Sequence, residues 1–517
     1  MVLEAVLFDM DGVVTDTASA HAAAWKEAFD AFLAARSAAE GTVLVPFDAR
    51  RDYLAYVDGR PRLDGVRGFL AARGIDLPEG SAEDPPGHAT VAGLGNLKNR
   101  AFHDWLRRHR VRAFPGSVAL IRTLRSAGIR TALFTSSRNA DAVLASAGLQ
   151  DLFDVRVDGR LMAERKLPGK PDPAIVLEAA RRLGVPPERA AVVEDATAGV
   201  AAGRRGGFGL VVGVDRGGNR PALLEHRADL VVDDLANLML DEERQLKIKM
   251  LNDLPLVFDH EPELRERLQG RRLAVFLDYD GTLTPIVDDP DRALISEAMR
   301  ETVARLAEVV PTVIVSGRGV ETVRRLTGLD QLIFAGSHGF EIGGPEGFED
   351  TLEKGVEALP ELDRAEAELE DALAGIDGHR IERKRFSIEA HFRQVAERDR
   401  ERLETAVDEV AARHPNLRKG TGKKVLRLQP DIEWDKGHAV LHLLGRLGLD
   451  GDDVLPVYVG DDVTDEDAFR ALAGRGLGVV VRGETDRETG ASYALRDTDE
   501  VGRFLDWIGE RAGEGGR

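Results

Sequence analysis

The sequence predicts an α/β protein with two doubly wound parallel-sheet cores, the first carrying a helical cap insertion and the second an α+β cap insertion. Three observations predict it. Short apolar runs end in carboxylates: Leu273 to Leu277 leads into Asp278-Tyr279-Asp280-Gly281-Thr282, and Ala5 to Phe8 leads into Asp9-Met10-Asp11-Gly12. Runs of this length read as parallel strands buried on both faces. Strands of this kind alternate with helical patterns of about 10–15 residues, the order of a doubly wound sheet. The cycle then occurs a second time along the 517 residues.

The bulk numbers fit such a protein. The length suggests roughly three or four domains of about 150 residues. A hydrophobic fraction of 43% beside 31% charged residues is that of a soluble globular chain. Aromatics make up only 5%, so the cores are expected to be mostly Leu, Val and Ala. The formal net charge of −20 argues against nucleic acid or an anionic membrane as a partner, and leaves any anionic substrate to local Arg, Lys or metal. With no cysteine, disulfides, thiolate metal sites and cysteine nucleophiles are excluded. A strand begins within five residues of the N-terminus and no apolar run approaches about 20 residues, so neither a signal peptide nor a membrane span is expected. The expected location is cytoplasmic. The sequence leaves the oligomeric state open.

Taken in order, the first unit spans residues 1–240 with its helical cap at about 17–110. His21 to Ala35 and Gly65 to Gly74 read as helices, the second ending on a Gly C-cap. Glu79 to Gly87 reads as a loop and Leu94 to Val111 as a basic helix. The strand Thr131 to Phe134 stops at Thr135-Ser136-Ser137-Arg138-Asn139, Gly169-Lys170-Pro171-Asp172-Pro173 opens a helix, and Ala190 to Val193 ends in Glu194-Asp195. Residues 241–270, charged and interrupted by Pro255 and Pro262, read as a linker. The second unit, 271–517, has strands at Thr312 to Val315, stopping at Ser316-Gly317-Arg318, and at Ile333 to Ala335, before Gly336-Ser337-His338-Gly339. An α+β cap is expected at about 345–430, and the core resumes at Val457-Tyr458-Val459 before Gly460-Asp461-Asp462.

Ligands of open α/β sheets bind outside the carboxyl ends of the strands, where these polar residues fall. One carboxylate, Asp278, can attack phosphorus, and a second, Asp280, can protonate the leaving sugar oxygen and later activate water. Mg²⁺ suits a site made of Asp278, the backbone carbonyl of Asp280, and Asp461. Ser316 with the amides of Gly317 and Arg318 can cradle phosphate, and Lys436 can neutralise the charge shared by nucleophile and phosphoryl group. The first unit offers Asp9, Asp11, Thr135 with Ser136, Lys170, and Glu194 with Asp195. Singly, each motif is ordinary turn chemistry, and an EF-hand is excluded because D-x-[DN]-x-[DN]-G is not met. The ordered set, present twice, is specific.

That set resembles the haloacid dehalogenase superfamily of aspartyl-phosphate phosphotransferases, with Rossmann-like cores, over nearly the whole chain. The C-terminal half looks like the trehalose-6-phosphate phosphatases in LDYDGTLTPIVDDPDRA, IVSGR, GSHGFEI, IERKRFSIEAHFR, DIEWDKG and VGDDVTDEDAF. The resemblance implies Asp278 as nucleophile, Asp280 as acid/base, Lys436 as clamp, Asp461 as metal ligand with Asp465 behind it, and Glu382, Lys384 and Arg393 as cap residues that read the sugar. His338 and Glu341 either support the site or are structural. One position departs: Arg427, in Gly422 to Pro430, stands where the family has a sugar-binding Glu. The N-terminal half looks like the β-phosphoglucomutases and related phosphatases in AVLFDMDGVVTDT, His21 with Trp25, TSSRN, GKPDP and VVEDATAGV. Here Asp9 is the implied nucleophile, Asp11 the acid/base, Lys170 the clamp and Glu194 with Asp195 the metal-side acids. A second phosphate would be gripped by Lys98 with Asn99 and by Arg60 or Arg62; Lys98 reads equally as an exposed helix lysine.

The resemblance implies a Mg²⁺-dependent trehalose-6-phosphate phosphatase fused to a sugar-phosphate mutase or phosphatase, with small-molecule sugar phosphates as partners. Because phosphorolysis of trehalose yields β-glucose 1-phosphate, a mutase substrate, the two halves would stand on both sides of trehalose metabolism. The alternatives are a C-terminal phosphatase for another glycosyl phosphate and an N-terminal unit that only senses sugar phosphate.

Overall fold

The computed structural model describes the whole chain except residues 1, 42, 50, 58–61, 288–291, 346–347, 349–351, 423, 484 and 515–517. The chain divides into two compact units, Met1–Ile248 and Lys249–Arg517.

In the first unit six parallel strands form one sheet: β1 (Ala5–Asp9), β2 (Arg130–Phe134), β3 (Val155–Val157), β4 (Ala190–Glu194), β5 (Leu210–Val214) and β6 (Leu230–Val232), in the order β3-β2-β1-β4-β5-β6. β1 lies between β2 and β4, with Asp9 in register with Phe134 and Phe8 with Val193. Strands sharing a direction end on one edge, so Asp9, Thr135 and Glu194 leave the sheet side by side. β1 and β4 are wholly buried, which accounts for their unbroken apolar runs.

Three helices are inserted after β1: α1 (Ala18–Glu40), α2 (Arg62–Ala72) and α3 (Val91–Arg108). α1 stops at Gly41, which takes φ 67° at the position where a left-handed residue closes a helix. α3 starts at Thr90, whose side chain accepts the Gly93 amide. The cap core is mostly aliphatic, as the composition predicts, but Trp25, Phe29, Phe47 and Phe69 add large rings to the same buried cluster. A few large rings fill a small helical core that many short side chains would otherwise have to fill.

Residues 241–270, read from sequence as a linker, are built into both units. β7 (Leu238–Leu240) and β8 (Leu246–Ile248) form an antiparallel hairpin whose Leu246 is buried in the first unit. Leu251, Leu254, Val257, Leu264 and Leu268 are buried in the second unit. The charged residues between these anchors face outward and dominate the composition, which hides the spacing of the apolar ones.

The second unit repeats the plan with an eight-stranded sheet. β9 (Arg272–Leu277) lies between β10 (Thr312–Val315) and β18 (Val454–Gly460), all parallel, with Leu277 in register with Ile314 and Val459. β11 (Ile333–Gly336), β12 (Glu341–Gly343) and β13 (Leu352–Glu353) extend one side, and β19 (Leu477–Val481) and β20 (Tyr493–Leu495) the other. The insertion is an α+β cap. Its helices α4 (Leu359–Leu373) and α5 (Glu397–Arg413) back a four-stranded antiparallel sheet of β14 (Arg380–Lys384), β15 (Ser387–His391), β16 (Leu417–Gly422) and β17 (Val425–Pro430), in the order β14-β15-β17-β16. The chain returns to the core through α6 (Lys436–Arg446), N-capped by Asp435. Among the described residues no helix is long and apolar enough to cross a membrane.

Candidate active sites

In the second unit Asp278 leaves β9 buried, at 5% exposure. Lys436, the first residue of α6 and itself buried, places Nζ 2.7 Å from Asp278 Oδ1 and 2.7 Å from Asp465 Oδ1. Tyr458 also donates to Asp465 Oδ1, and the Asp461 and Asp462 amides donate to Oδ2. Asp465 is thus the anchor of the lysine, a role the sequence reading left behind the metal ligand. Asp461 differs: its Oδ1 is buried with no hydrogen-bond partner among the described residues. Gly281, at φ 87°, lets the chain pass against it, since a Cβ there would stand 2.2 Å from Asp461 Oδ2. Carboxylate oxygens of Asp278, Asp461 and Asp465 lie within 4.8 Å of one another.

Burial drives the Asp278 carboxyl well above its ordinary range, Lys436 pulls it down, and Asp465 and Asp461 push it up again. Burial raises Asp461 to about 8, with Asp465 and Asp462 adding to the effect. Burial works against a charged Lys436, but Asp278 and Asp465 more than offset it, so its pKa stands raised. Three crowded acids sharing one ammonium leave negative charge that a hard divalent cation would neutralise, and the all-oxygen donor set fits Mg²⁺.

Ser316, fully buried at the end of β10, accepts the Arg318 amide on Oγ at 3.1 Å. The Arg318 amide is the part expected in the phosphate cradle with Ser316 and Gly317; its side chain is clamped on Asp280, with Nε 2.7 Å from Oδ2 and Nη2 2.6 Å from Oδ1. The two-pronged fit of guanidinium to carboxylate explains the preference. His338, at φ 58°, stands with its Cε1 2.7 Å from where a Gly317 Cβ would be, and both ring nitrogens are buried without a partner among the described residues. It is therefore not a satisfied structural histidine. Glu341 is the residue with structural bonds, accepting from Ser337 Oγ at 2.5 Å.

The first unit builds the same arrangement from different side chains. Lys170 Nζ is 2.5 Å from Asp9 Oδ1 and also bonds Glu194 Oε1. Glu194, fully buried, accepts the Ala196 amide on its other oxygen at 2.9 Å, so it anchors the lysine as Asp465 does. Asp195 corresponds to Asp461, pressed against Gly12 at φ 77°, where a Cβ would stand 1.9 Å from Asp195 Oδ2. Asp9, Glu194 and Asp195 also bring oxygens within 4.8 Å of one another. Burial raises Asp9 to about 8 against the pull of Lys170. Asp11 accepts from Thr17 and, at 3.5 Å, from Thr135 Oγ1, so hydroxyls hold it where an arginine holds Asp280. Ser136 is exposed at the turn after β2.

The comparisons with known proteins follow this division. Residues 3–207 match the family model of haloacid dehalogenase-like hydrolases, and residues 276–499 that of trehalose-phosphatases. The chain is 49% identical over 240 residues to a β-phosphoglucomutase of Mycobacterium bovis, covering 46% of this chain and 92% of that one. It is 37% identical over 404 residues to a trehalose-phosphate phosphatase of Mycobacterium leprae, covering 75% and 91%. The chain belongs to both families, in tandem. It is also 40% identical over 507 residues, 97% of its length, to an uncharacterized glycosyl hydrolase of Mycobacterium tuberculosis, of which it spans only 38%.

In the haloacid dehalogenase-like unit, Lys98 is no exposed helix lysine. It is 7% exposed, with Nζ 2.8 Å from His21 Nδ1, and lies over the rings of Phe102 at 4.9 Å and Trp25 at 5.2 Å. Burial, then Arg62, lowers its pKa to about 7. Asn99 accepts from Asn139 Nδ2 at 3.2 Å, which ties the cap to the turn after β2. Arg62 is exposed at the start of α2, and Arg60 lies outside the described residues. In the trehalose-phosphatase unit Glu382 and Lys384 sit on β14, Glu382 bonded to His391 at 3.1 Å and Lys384 to Glu389 at 2.9 Å. Arg393 is exposed in the turn after β15. Glu389 was not singled out from sequence; its alternation along β15 carried the signal, and only the sheet register gives it meaning.

Proposed function

We propose that the trehalose-phosphatase unit hydrolyses trehalose 6-phosphate to trehalose and phosphate, and that the haloacid dehalogenase-like unit handles a second sugar phosphate, as a β-phosphoglucomutase first and as a phosphatase second. The observation that carries the reading is the same constellation at the strand ends of both units: a buried Asp held by a Lys, that Lys anchored on a buried acid, and a second Asp two residues on.

In this reading Asp278 attacks the phosphorus and forms an acyl phosphate while Asp280 gives its proton to the departing sugar oxygen. Arg318 would hand Asp280 over on substrate binding and turn to the phosphate, beside Ser316 Oγ and the amides of Gly317 and Arg318. Asp280 then takes a proton from the water that opens the acyl phosphate, restoring the starting state. Lys436 orients the nucleophile and opposes the effect of burial, which favours its protonated form. Mg²⁺, held by Asp278, the Asp280 carbonyl and Asp461, or by Asp9, the Asp11 carbonyl and Asp195 with Glu194 behind, would supply charge neutralisation of the phosphoryl oxygens. In the first unit Asp9, Asp11 and Lys170 take the same parts, with Thr135 and Ser136 for phosphate. A mutase must also keep water from its acyl phosphate until the sugar phosphate returns, and the buried Lys98, bonded to His21, supports such an enclosed site. Small-molecule sugar phosphates are the proposed partners and the cytoplasm the proposed location.

Arg427 favours a second reading of the trehalose-phosphatase unit, a phosphatase for a different glycosyl phosphate. The experiment that tests the assignment uses the full chain carrying Asp9→Asn or Asp278→Asn. Hydrolysis of trehalose 6-phosphate should persist in the first variant and vanish in the second, because an amide cannot form the acyl phosphate. Persistence in Asp278→Asn would move the activity to the other unit. If Asp9→Asn leaves every turnover unchanged while β-glucose 1-phosphate still binds, the first unit is a sensor.

A further inference from the structure

The cap sheet of the trehalose-phosphatase unit is two-sided. Ile388 and Ala390 of β15 and Leu426 and Leu428 of β17 bury into the cap core with α4 and α5. Strand alternation sends Glu382, Lys384, Glu389, His391 and Arg427 to the opposite face. On that face Glu389 is the register partner of both Glu382 and Arg427. Arg427 sets Nε and Nη2 each 2.8 Å from Glu389 Oε1, and Lys384 Nζ sits 2.9 Å from Oε2. The charged face looks onto the core: Phe386 stacks on Phe340 at 5.9 Å, and Arg427 and Lys384 are among the cations that, after burial, hold the His338 imidazole neutral.

From these contacts we infer that Glu389 is the carboxylate this cap presents to the sugar hydroxyls of the substrate, with Arg427 and Lys384 as its positioning residues. The inference rests on the proposed sugar-phosphate reading of this unit. At 427, where the resemblance implies a carboxylate, this chain has a cation, and the carboxylate bonded to it stands on the neighbouring strand. Directly paired positions on one face of an antiparallel sheet are about 5 Å apart, so the acceptor moves by one strand and stays over the same site. An unpaired carboxylate at 3% exposure would favour its protonated form, but Lys384 and Arg427 more than offset the burial and hold Glu389 ionised. An ionised carboxylate offers about four acceptor positions, of which the two cations take three, so at least one remains for a hydroxyl donor. Both ring nitrogens of His338, buried and unpartnered among the described residues, provide donor and acceptor capacity from the core side.

The test measures kcat and KM on the full chain in an Asp9→Asn background, for trehalose 6-phosphate and for para-nitrophenyl phosphate, which carries no sugar. Glu389→Gln should lower the ratio of the two kcat/KM values by roughly 10- to 100-fold, the effect of losing one charged hydrogen bond, and chiefly through KM for the sugar ester. Arg427→Gln should lower it less. If Glu389→Gln fails to fold by its melting transition, the amide pair Glu389→Gln with Arg427→Gln replaces it and should show the same loss. A parent chain that prefers trehalose 6-phosphate while the Glu389 variants keep that preference overturns the inference alone. A parent chain without preference overturns the substrate reading of the unit and the inference with it.

Discussion

Replacing Lys436 by Met tests whether the charge balance beneath the second sheet is what the geometry implies. The side chain keeps its length and loses its ammonium. Asp278 and Asp465, at 5% and 0% exposure, then lose the cation that stands 2.7 Å from each, with Asp461 close by. Breaking a buried ion pair from one side costs about 3–5 kcal/mol, because the remaining charge is left uncompensated. For a unit of this size about 1 kcal/mol moves the melting point by roughly 2–4 °C, so a fall of about 6–20 °C in one transition is expected. The pH dependence has a definite sign. Asp278 and Asp461 have folded-state pKa values raised above the ordinary 3.8, Asp461 to about 8, so each costs stability as pH rises from about 4 to its folded value. Without the lysine that cost grows, and the deficit of the variant should be small near pH 4 and widest near pH 8. Calorimetry of the full chain in a chelator at several pH values reads this directly, with Lys170→Met identifying the transition of the first unit. Added Mg²⁺ should recover part of the loss. A Lys436→Met chain as stable as its parent at pH 8 in chelator would refute the reasoning.

Two further outcomes follow from other buried groups. Lys98, lowered from 10.5 to about 7, leaves the unfolded chain binding a proton that the folded chain lacks between those values, so its contribution to stability rises with pH across that window. At about 1.4 kcal/mol per pH unit the effect is capped near 5 kcal/mol, and Lys98→Met should therefore be more stable than its parent at pH 7 in urea unfolding, by an amount that shrinks toward pH 10. An advantage that stays constant with pH would show that the lysine is charged where it lies. Gly281→Ala should raise the Mg²⁺ concentration needed for half-maximal phosphate release, because its Cβ would stand 2.3 Å from Asp461 Cγ and the backbone is at φ 87°, at a cost of about 1–3 kcal/mol. An unchanged Mg²⁺ requirement would remove Asp461 from the metal side.

Much of this was legible in the chain because the chemistry sits where apolar strands end. Asp9, Asp278, Thr135, Ser316 and the acidic pair after β4 are each announced by the strand before them. What escaped depends on contacts between distant segments. Asp465 is separated from its role by the turn that brings four donors to it, and nothing local distinguishes it from Asp462. The burial of Lys98 arises from Trp25 and Phe102 on neighbouring turns of the cap, which charge patterning cannot reveal. Arg427 read as a departure because its partner Glu389 lies 38 residues earlier and becomes its neighbour only through the register of β15 and β17. The boundary between the units falls inside 241–270, where the sequence reading put the linker, but composition averages over the few buried leucines that tie both ends of that stretch into the units.

The measurement that bears most directly on the account is phosphate release by the purified chain with Mg²⁺, on trehalose 6-phosphate beside a panel of other sugar phosphates. The account predicts a kcat/KM for trehalose 6-phosphate well above the rest, abolished by Asp278→Asn and kept by Asp9→Asn. Equal release from every ester would contradict it, leaving a phosphatase whose cap does not read trehalose.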